Sequence, residues 1–253
     1  WSNTTGEMNI AMGYQSLYSN ISGNCNVGLG RETLQASYGG DHNIAMGLCT
    51  LRCNTTGDHN TGIGCGVLFA NTTGSCNVGM GINAGRYNAN GSTGTTSPDN
   101  STYLGACTRA YSVSSTNETV LGYCACGCGD NTMSFGNANV TDNHFNGNII
   151  ACATDPRIRV EATAGNHPGF EWLEAGSRKW ITYNDPDSSQ GGNDNLTWKN
   201  ASDTELMELD QDGMLYVSSK IVHLDDTDTF INFTDDDINI QAGGVNFIDI
   251  TEG

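Results

Sequence analysis

The residues able to do chemistry in this chain recur at fixed intervals. Met8, Cys25, His42, His59 and Cys76 follow one another at steps of 17. A column of soft and borderline ligands at one spacing suits a transition metal. The competing reading is packing, because a repeated position has to hold some side chain, and packing is adopted here. Cys107 and Cys124 are also 17 apart. If that step is one turn of a coil, stacking sets their α-carbons about 5 Å apart, within disulfide reach. The alternative is a pair of small buried thiols. Cys124, Cys126 and Cys128 alternate in "CACGC" without the paired CxxC of a zinc site. The acidic stretches "DQDG", "DDTDT" and "DDD" raise calcium, but Asp210 and Asp212 precede Gly213 without a complete EF-hand loop. No metal or other cofactor is assigned.

Catalytic signatures are equally thin. The chain holds no G-x-S-x-G, H-E-x-x-H or P-loop. A polysaccharide depolymerase needs paired carboxylates in a groove, and the repeated positions carry Asn, Ala and Gly instead. The expectation is a protein that is not an enzyme. An ice-binding face would need an unbroken Thr ladder, and Ile21 and Tyr38 interrupt the column of Thr4, Thr55 and Thr72. There are eleven N-x-S/T sequons, Asn3, Asn20, Asn54, Asn71 and Asn195 among them, and several simply restate a repeated turn.

The interval itself dictates the architecture. Gly6, Gly23, Gly40, Gly57 and Gly74 keep the 17-residue step, as do Asn9, Asn26, Asn43, Asn60 and Asn77. Gly13 to Gly81 and Leu17 to Leu68 follow it too. A short fixed period means a solenoid in which each unit stacks on its neighbour. Ile10/Met12, Val27/Leu29, Ile44/Met46, Thr61/Ile63 and Val78/Met80 alternate with Ala or Gly, the period of a strand with one buried face. That parity buries the Val and Ile side chains and puts the Met8–Cys76 column beside them. A coil of this length predicts two short strands and two turns, with equivalent residues about 4.8 Å apart. The Asn column then forms an amide ladder, directed inward or into a seam between subunits. "STYLGAC" and "ETVLGYC" continue the register after an insertion of seven, and "NTMSFGN" closes it. The predicted fold class is all-β: a parallel β-roll or solenoid of 17-residue coils over residues 1–138, with an inserted loop at 88–100. Residues 139–155 form a neck or linker, 156–219 a β-rich module and 220–253 a C-terminal β segment.

Composition narrows the partners. Lys and Arg number 10 against 28 Asp and Glu, a formal charge of −18. Duplex nucleic acid requires the opposite sign, and acidic membrane surfaces repel such a chain. No apolar run is long enough to span a bilayer, so neither nucleic-acid binding nor membrane insertion is expected. The chain opens at Trp1 with no visible signal peptide, which points to a processed or partial product. Thin coil cores call for oligomerisation.

The unit G-x-x-N-[IVT]-[AG]-[MLI]-G resembles the heads of trimeric autotransporter adhesins, a left-handed parallel β-roll, and "NTMSFGNAN" is similar to their last coil before the neck. The 17-residue "NTTG…N.A.G…L" form resembles still more the repeats of phage tail-fibre proteins. "DPRIRVEATAGNHPGFEWLEAGSRKWITYND…NLTWKN…TELMELDQDGMLYVSS" resembles the β-rich modules of such fibres, and "HLDDTDTFINFTDDDINIQAGGVNFIDITEG" their distal segment. The autotransporter plan would add a heptad stalk and a membrane anchor, which this sequence lacks. The resemblance implies a homotrimeric extracellular fibre segment of a virion tail, assembled with other fibre and virion proteins. Its implied work is attachment to a host surface glycan or protein, with a tip or self-cleaved chaperone to follow the last residue. A microbial cell-surface adhesin or appendage subunit is the alternative. For the binding surface the expectation falls on the insertion, through Asn90, Ser92, Thr93, Thr95, Thr96 and Asp99. Loops inserted in repeat proteins are frequent binding positions, and these polar groups suit a sugar.

Overall fold

The computed structural model describes residues 2–146, 148–152, 158, 160–161, 168–175, 177–185, 195–210, 212–218, 220–223, 226–233 and 237–251. It forms two compact units, Trp1–Asn146 and Gly147–Gly253, divided inside the predicted neck. All described regular structure is β.

The first unit is a parallel solenoid. Eight three-residue strands, β1 (Ile10–Met12), β2 (Val27–Leu29), β3 (Ile44–Met46), β4 (Thr61–Ile63), β5 (Val78–Met80), β6 (Thr102–Leu104), β7 (Thr119–Leu121) and β8 (Met133–Phe135), stack in sequence order into one sheet. Ile44 pairs with Thr61 and Thr61 with Val78, so the 17-residue period is the hydrogen-bond register itself. Each coil carries one strand rather than two. Where the second was expected, Cys49 (φ 54°) and Leu51 (φ 50°) are both left-handed, as are Gln15, Leu17, Glu32 and Leu34 at equivalent positions. Two such residues in three curl the backbone into a corner. The ladder continues through these corners all the same: Leu51 N donates to Val67 O at 2.9 Å and Thr55 N to Thr72 O at 2.8 Å. Gly47, at φ 123°, closes β3 in a conformation unsuited to side chains.

The strand parity is the reverse of the predicted one. Ala45, Gly62, Gly79, Tyr103 and Val120 point inward and are buried. Ile10, Met12, Ile44, Val78, Met80, Leu104, Met133 and Phe135 point outward and are exposed. The cause is the width of the coil. Leu17, Leu34, Leu51 and Leu68 on the opposite wall already fill the interior, and a Cβ at Gly62 would meet Thr50 Cγ2 at 2.6 Å. Only Ala or Gly fits opposite a Leu. The rule reverses from β6 on, where Tyr103 and then Val120 enter the core, and the position facing Tyr103 is Gly85, where a Cβ would lie 2.7 Å from Tyr103 Cδ2. Wall and strand trade volume across the coil.

Polar groups of the interior pair along the axis. Asn43 Nδ2 donates to Asn26 Oδ1 (3.2 Å) and to Gly57 O (2.8 Å). Asn43 Oδ1 in turn accepts from Asn60 N (2.9 Å) and Asn60 Nδ2 (3.1 Å). Asn77 continues the ladder, and Asn26, Asn43, Asn60 and Asn77 are all fully buried. A second ladder comes from the "NTTG" turns: Asn71 Nδ2 donates to Asn54 Oδ1 (2.9 Å) and to Gly74 O (2.9 Å). Gly74 O also accepts from Asn60 at 2.8 Å, so one carbonyl joins both ladders. The Asn column then gives way to Ser101 and the buried Glu118, whose carboxylate accepts from Tyr111 N and Tyr103 Oη. Burial, with the Glu118 carboxylate adding to it, holds the Tyr103 phenol well above its ordinary value.

The second unit holds two antiparallel sheets. The first runs β13 (Leu215–Val217), β12 (Glu205–Leu209), β11 (Asn195–Asn200), β10 (Ser177–Asp185), β9 (Gly169–Glu174) in spatial order. Trp172 pairs with Trp180, and Trp198 with Thr182, which places three tryptophans on one face. Thr197 and Glu208 on the other face are buried, and Asn195 Nδ2 donates to Glu208 Oε1 at 2.7 Å. The second sheet is a meander of β14 (Lys220–His223), β15 (Asp226–Phe233), β16 (Asp237–Ala242) and β17 (Val245–Thr251).

Candidate functional site

The insertion between β5 and β6 is smaller than residues 88–100. Its free part is a hairpin: Asn88 N donates to Thr93 O at 2.9 Å and Tyr87 bridges to Gly94. At its tip Asn90, Ser92 and Thr93 are exposed and bonded among themselves, Asn90 Oδ1 accepting from Ser92 N and Thr93 N, both at 2.9 Å. The remaining three candidates belong to the coil. Thr95 is fully buried, Thr96 N donates to Val113 O at 2.9 Å, and Asp99 Oδ1 accepts from Ser75 N at 2.7 Å. Thr95, Thr96 and Asp99 are therefore scaffold: Thr95 is enclosed, with its N–H bonded to Arg86 O, and the coil-to-coil ladder resumes at Thr96 and Asp99. Removing residues 89–93 should leave thermal stability nearly unchanged. Removing residues 95–99 should unfold the adjoining coils. Circular dichroism on heating checks both.

The Met8, Cys25, His42, His59, Cys76 column is not buried as predicted. Met8, His42, His59 and Cys76 are exposed, and Cys25 is half-buried. Every member has φ between 55° and 59°, and Asn100, Asn117 and Asn131 carry the column onward at φ 53°, 51° and 59°. The position is a left-handed corner, which favours Asn and His. His42 and His59 stack with ring centroids 4.9 Å apart. Among the described residues no group of three or more His, Cys, Asp or Glu side chains is placed to hold a metal ion.

Cys107 and Cys124 are half-buried free thiols. Parallel in-register stacking keeps equivalent side chains about 4.8 Å apart, whereas a disulfide needs its Cβ atoms near 3.8 Å. Cys126 is likewise free, and burial pushes its thiol up, partly offset by the nearby Arg109. Of the acidic candidates, Asp210 is committed to a turn, accepting from Met214 N at 2.7 Å and Tyr216 Oη at 3.3 Å. Gln211, Asp225, Asp235 and Asp236 lie outside the described residues. The sequon asparagines Asn20, Asn54, Asn71 and Asn195 are buried.

One constellation was not legible in the repeat. Arg86 lies over the Phe69 ring at 4.4 Å and over Tyr87 at 5.0 Å, while Arg52 covers Phe69 at 5.5 Å. Arg109 packs its guanidinium across Gly91 of the hairpin, where a Cβ would meet Nη1 at 3.2 Å. Arg31 and Arg52 both pair with Glu32, and the Arg31 hydrogen bond leads in holding that carboxyl below its usual range. Arg86 and Arg109 make no ion pair among the described residues. The contacts between coils, Arg86 and Arg52 with Phe69 and Arg109 with Gly91, join positions 17 or 18 apart outside the Gly/Asn motif and leave no local signal. Comparison with protein families, characterised proteins and solved structures finds no match.

Proposed function

We propose that this chain is a segment of a homotrimeric extracellular fibre, as at a phage tail, that attaches its carrier to a host cell surface through a glycan or protein. The supporting observation is the outward apolar stripe. Met12, Leu29, Met46, Ile63, Met80, Leu104, Leu121 and Phe135 form one unbroken outward row across all eight strands, and Ile10, Val27, Ile44, Val78 and Met133 a second row that Thr61, Thr102 and Thr119 interrupt. A contiguous stripe of this kind is costly in water and marks an interaction surface. A partner that covers it along its length has to match the coil spacing of about 4.8 Å. A second and third copy of this chain carry that spacing in the same register. Three copies then present each surface feature three times, and weak contacts add through valency.

Light scattering of the native protein tests the assembly, with an expected mass about three times the chain's 26.8 kDa. A stable folded monomer at micromolar concentration overturns it. Met80→Glu supplies a sharper reading. Met80 is 47% exposed in the single chain, so a monomer should tolerate the charge. In the proposed trimer the variant keeps its β spectrum and loses mass. Adsorption of labelled trimer to host cells tests attachment.

A further inference from the structure

We propose that Arg86 and Arg109, with the hairpin they flank, form a binding site for an anionic saccharide bearing a carboxylate or phosphate. The inference rests on the attachment reading for its biological use, although the site itself lies within one chain. In a protein of net charge −18, cations are scarce. The solenoid holds four, Arg31, Arg52, Arg86 and Arg109. The first two share Glu32 as a carboxylate partner. Among the described residues the other two have no carboxylate partner, and they stand beside the one insertion in the repeat.

Their setting is that of a prepared fork. Arg86 is held by Phe69 (4.4 Å) and Tyr87 (5.0 Å), and its Nη1 donates to Asn83 Oδ1 at 3.0 Å. Stacking orients a guanidinium plane while leaving edge N–H groups for an anion, and a pre-oriented fork gives up less freedom on binding. Arg109 makes no side-chain hydrogen bond or ion pair among the described residues and lies against Gly91, next to Asn90 and Ser92. Asn90, Ser92 and Thr93 at the exposed tip offer amide and hydroxyl groups. The sparse charge also selects the ligand. Duplex nucleic acid presents one charge per about 1.7 Å, which the protein's overall field repels. A saccharide with one acidic group per repeat meets two guanidinium groups and little repulsion.

Titration followed by saturation-transfer NMR tests this on the full chain, with trigalacturonate as the carboxylate probe, glucose 6-phosphate as the phosphate probe and maltotriose as the neutral one. At least one charged probe is expected to bind ten-fold or more tighter than maltotriose, and to weaken several-fold as salt rises from about 0.05 to about 0.3 M. Which charged probe binds identifies the anion. Arg109→Gln should lower that affinity five-fold or more with unchanged thermal stability, and Arg86→Lys, which keeps charge but loses the fork, should also lower it. Two results overturn the site: charged probes that bind no better than maltotriose, or an Arg109→Gln protein that binds them as wild type does. Either leaves the fibre reading standing, and a monomer in light scattering overturns that reading while leaving the anion site standing.

Discussion

Asn43→Asp is expected to destabilise the solenoid by about 3 kcal/mol or more at neutral pH. The substitution changes one NH2 group into an oxygen. That group donates to Asn26 Oδ1 and Gly57 O, so the new oxygen faces two acceptors inside a fully buried ladder. Burial and acceptor neighbours raise the folded-state pKa of such an acid. The sign of the pH dependence follows. Below the unfolded value of about 3.9 the acid is protonated in both states, and its O–H replaces one lost donor. As pH rises through that value toward the higher folded one, stability falls, then levels off. Equilibrium denaturation at pH 3.5 and pH 7 measures the difference. Asn90→Asp is the control. Asn90 is exposed at the hairpin tip, its Oδ1 keeps the bonds from Ser92 N and Thr93 N, and its Nδ2 donates to the Thr93 hydroxyl, which can turn to donate to a carboxylate instead. A change within about 1 kcal/mol is expected there. An Asn43→Asp protein as stable as wild type would refute the inward ladder.

The second large effect concerns Tyr103 and Gly85. Tyr103→Gly removes the largest fully buried side chain of the solenoid and should cost about 3–5 kcal/mol. Gly85→Leu alone should cost at least about 1–3 kcal/mol, because its Cβ already lies within contact of Tyr103 Cδ2. Together the two changes recreate the Leu-against-Gly arrangement of the preceding coils. Leu68 holds the equivalent corner at φ 46°, so a Leu at position 85 can adopt the backbone there. The double variant should therefore recover most of both losses, a strongly non-additive cycle. Additive losses would mean that the two walls do not share one volume.

The coil period could be read from the sequence because each 17-residue step is a hydrogen-bonded neighbour, and stacking forces equivalent residues to solve the same problem. Inside and outside could not be read the same way. Assigning Val27, Ile44 and Val78 to the core follows the usual direction of burial, but the coil is too narrow for them opposite Leu34, Leu51 and Leu68. The second Asn ladder was hidden because "NTTG" also satisfies the chemistry of a turn. The insertion was visible as seven extra residues, yet where it ends depends on Thr96 and Asp99 rejoining the ladder. The Arg86 and Arg109 setting depends on contacts between coils at positions with no shared motif.

The single strand per coil has a consequence for reach. Seventeen residues advance the axis by one strand spacing of about 4.8 Å, roughly 0.3 Å per residue against 1.5 Å in an α-helix. The eight strands thus extend only about 34 Å along the axis. As a way of covering distance this is about five-fold less effective than a helix of the same length. What the chain produces instead is perimeter: every few ångströms of height carry a full circuit of outward side chains, in fixed azimuth, for display.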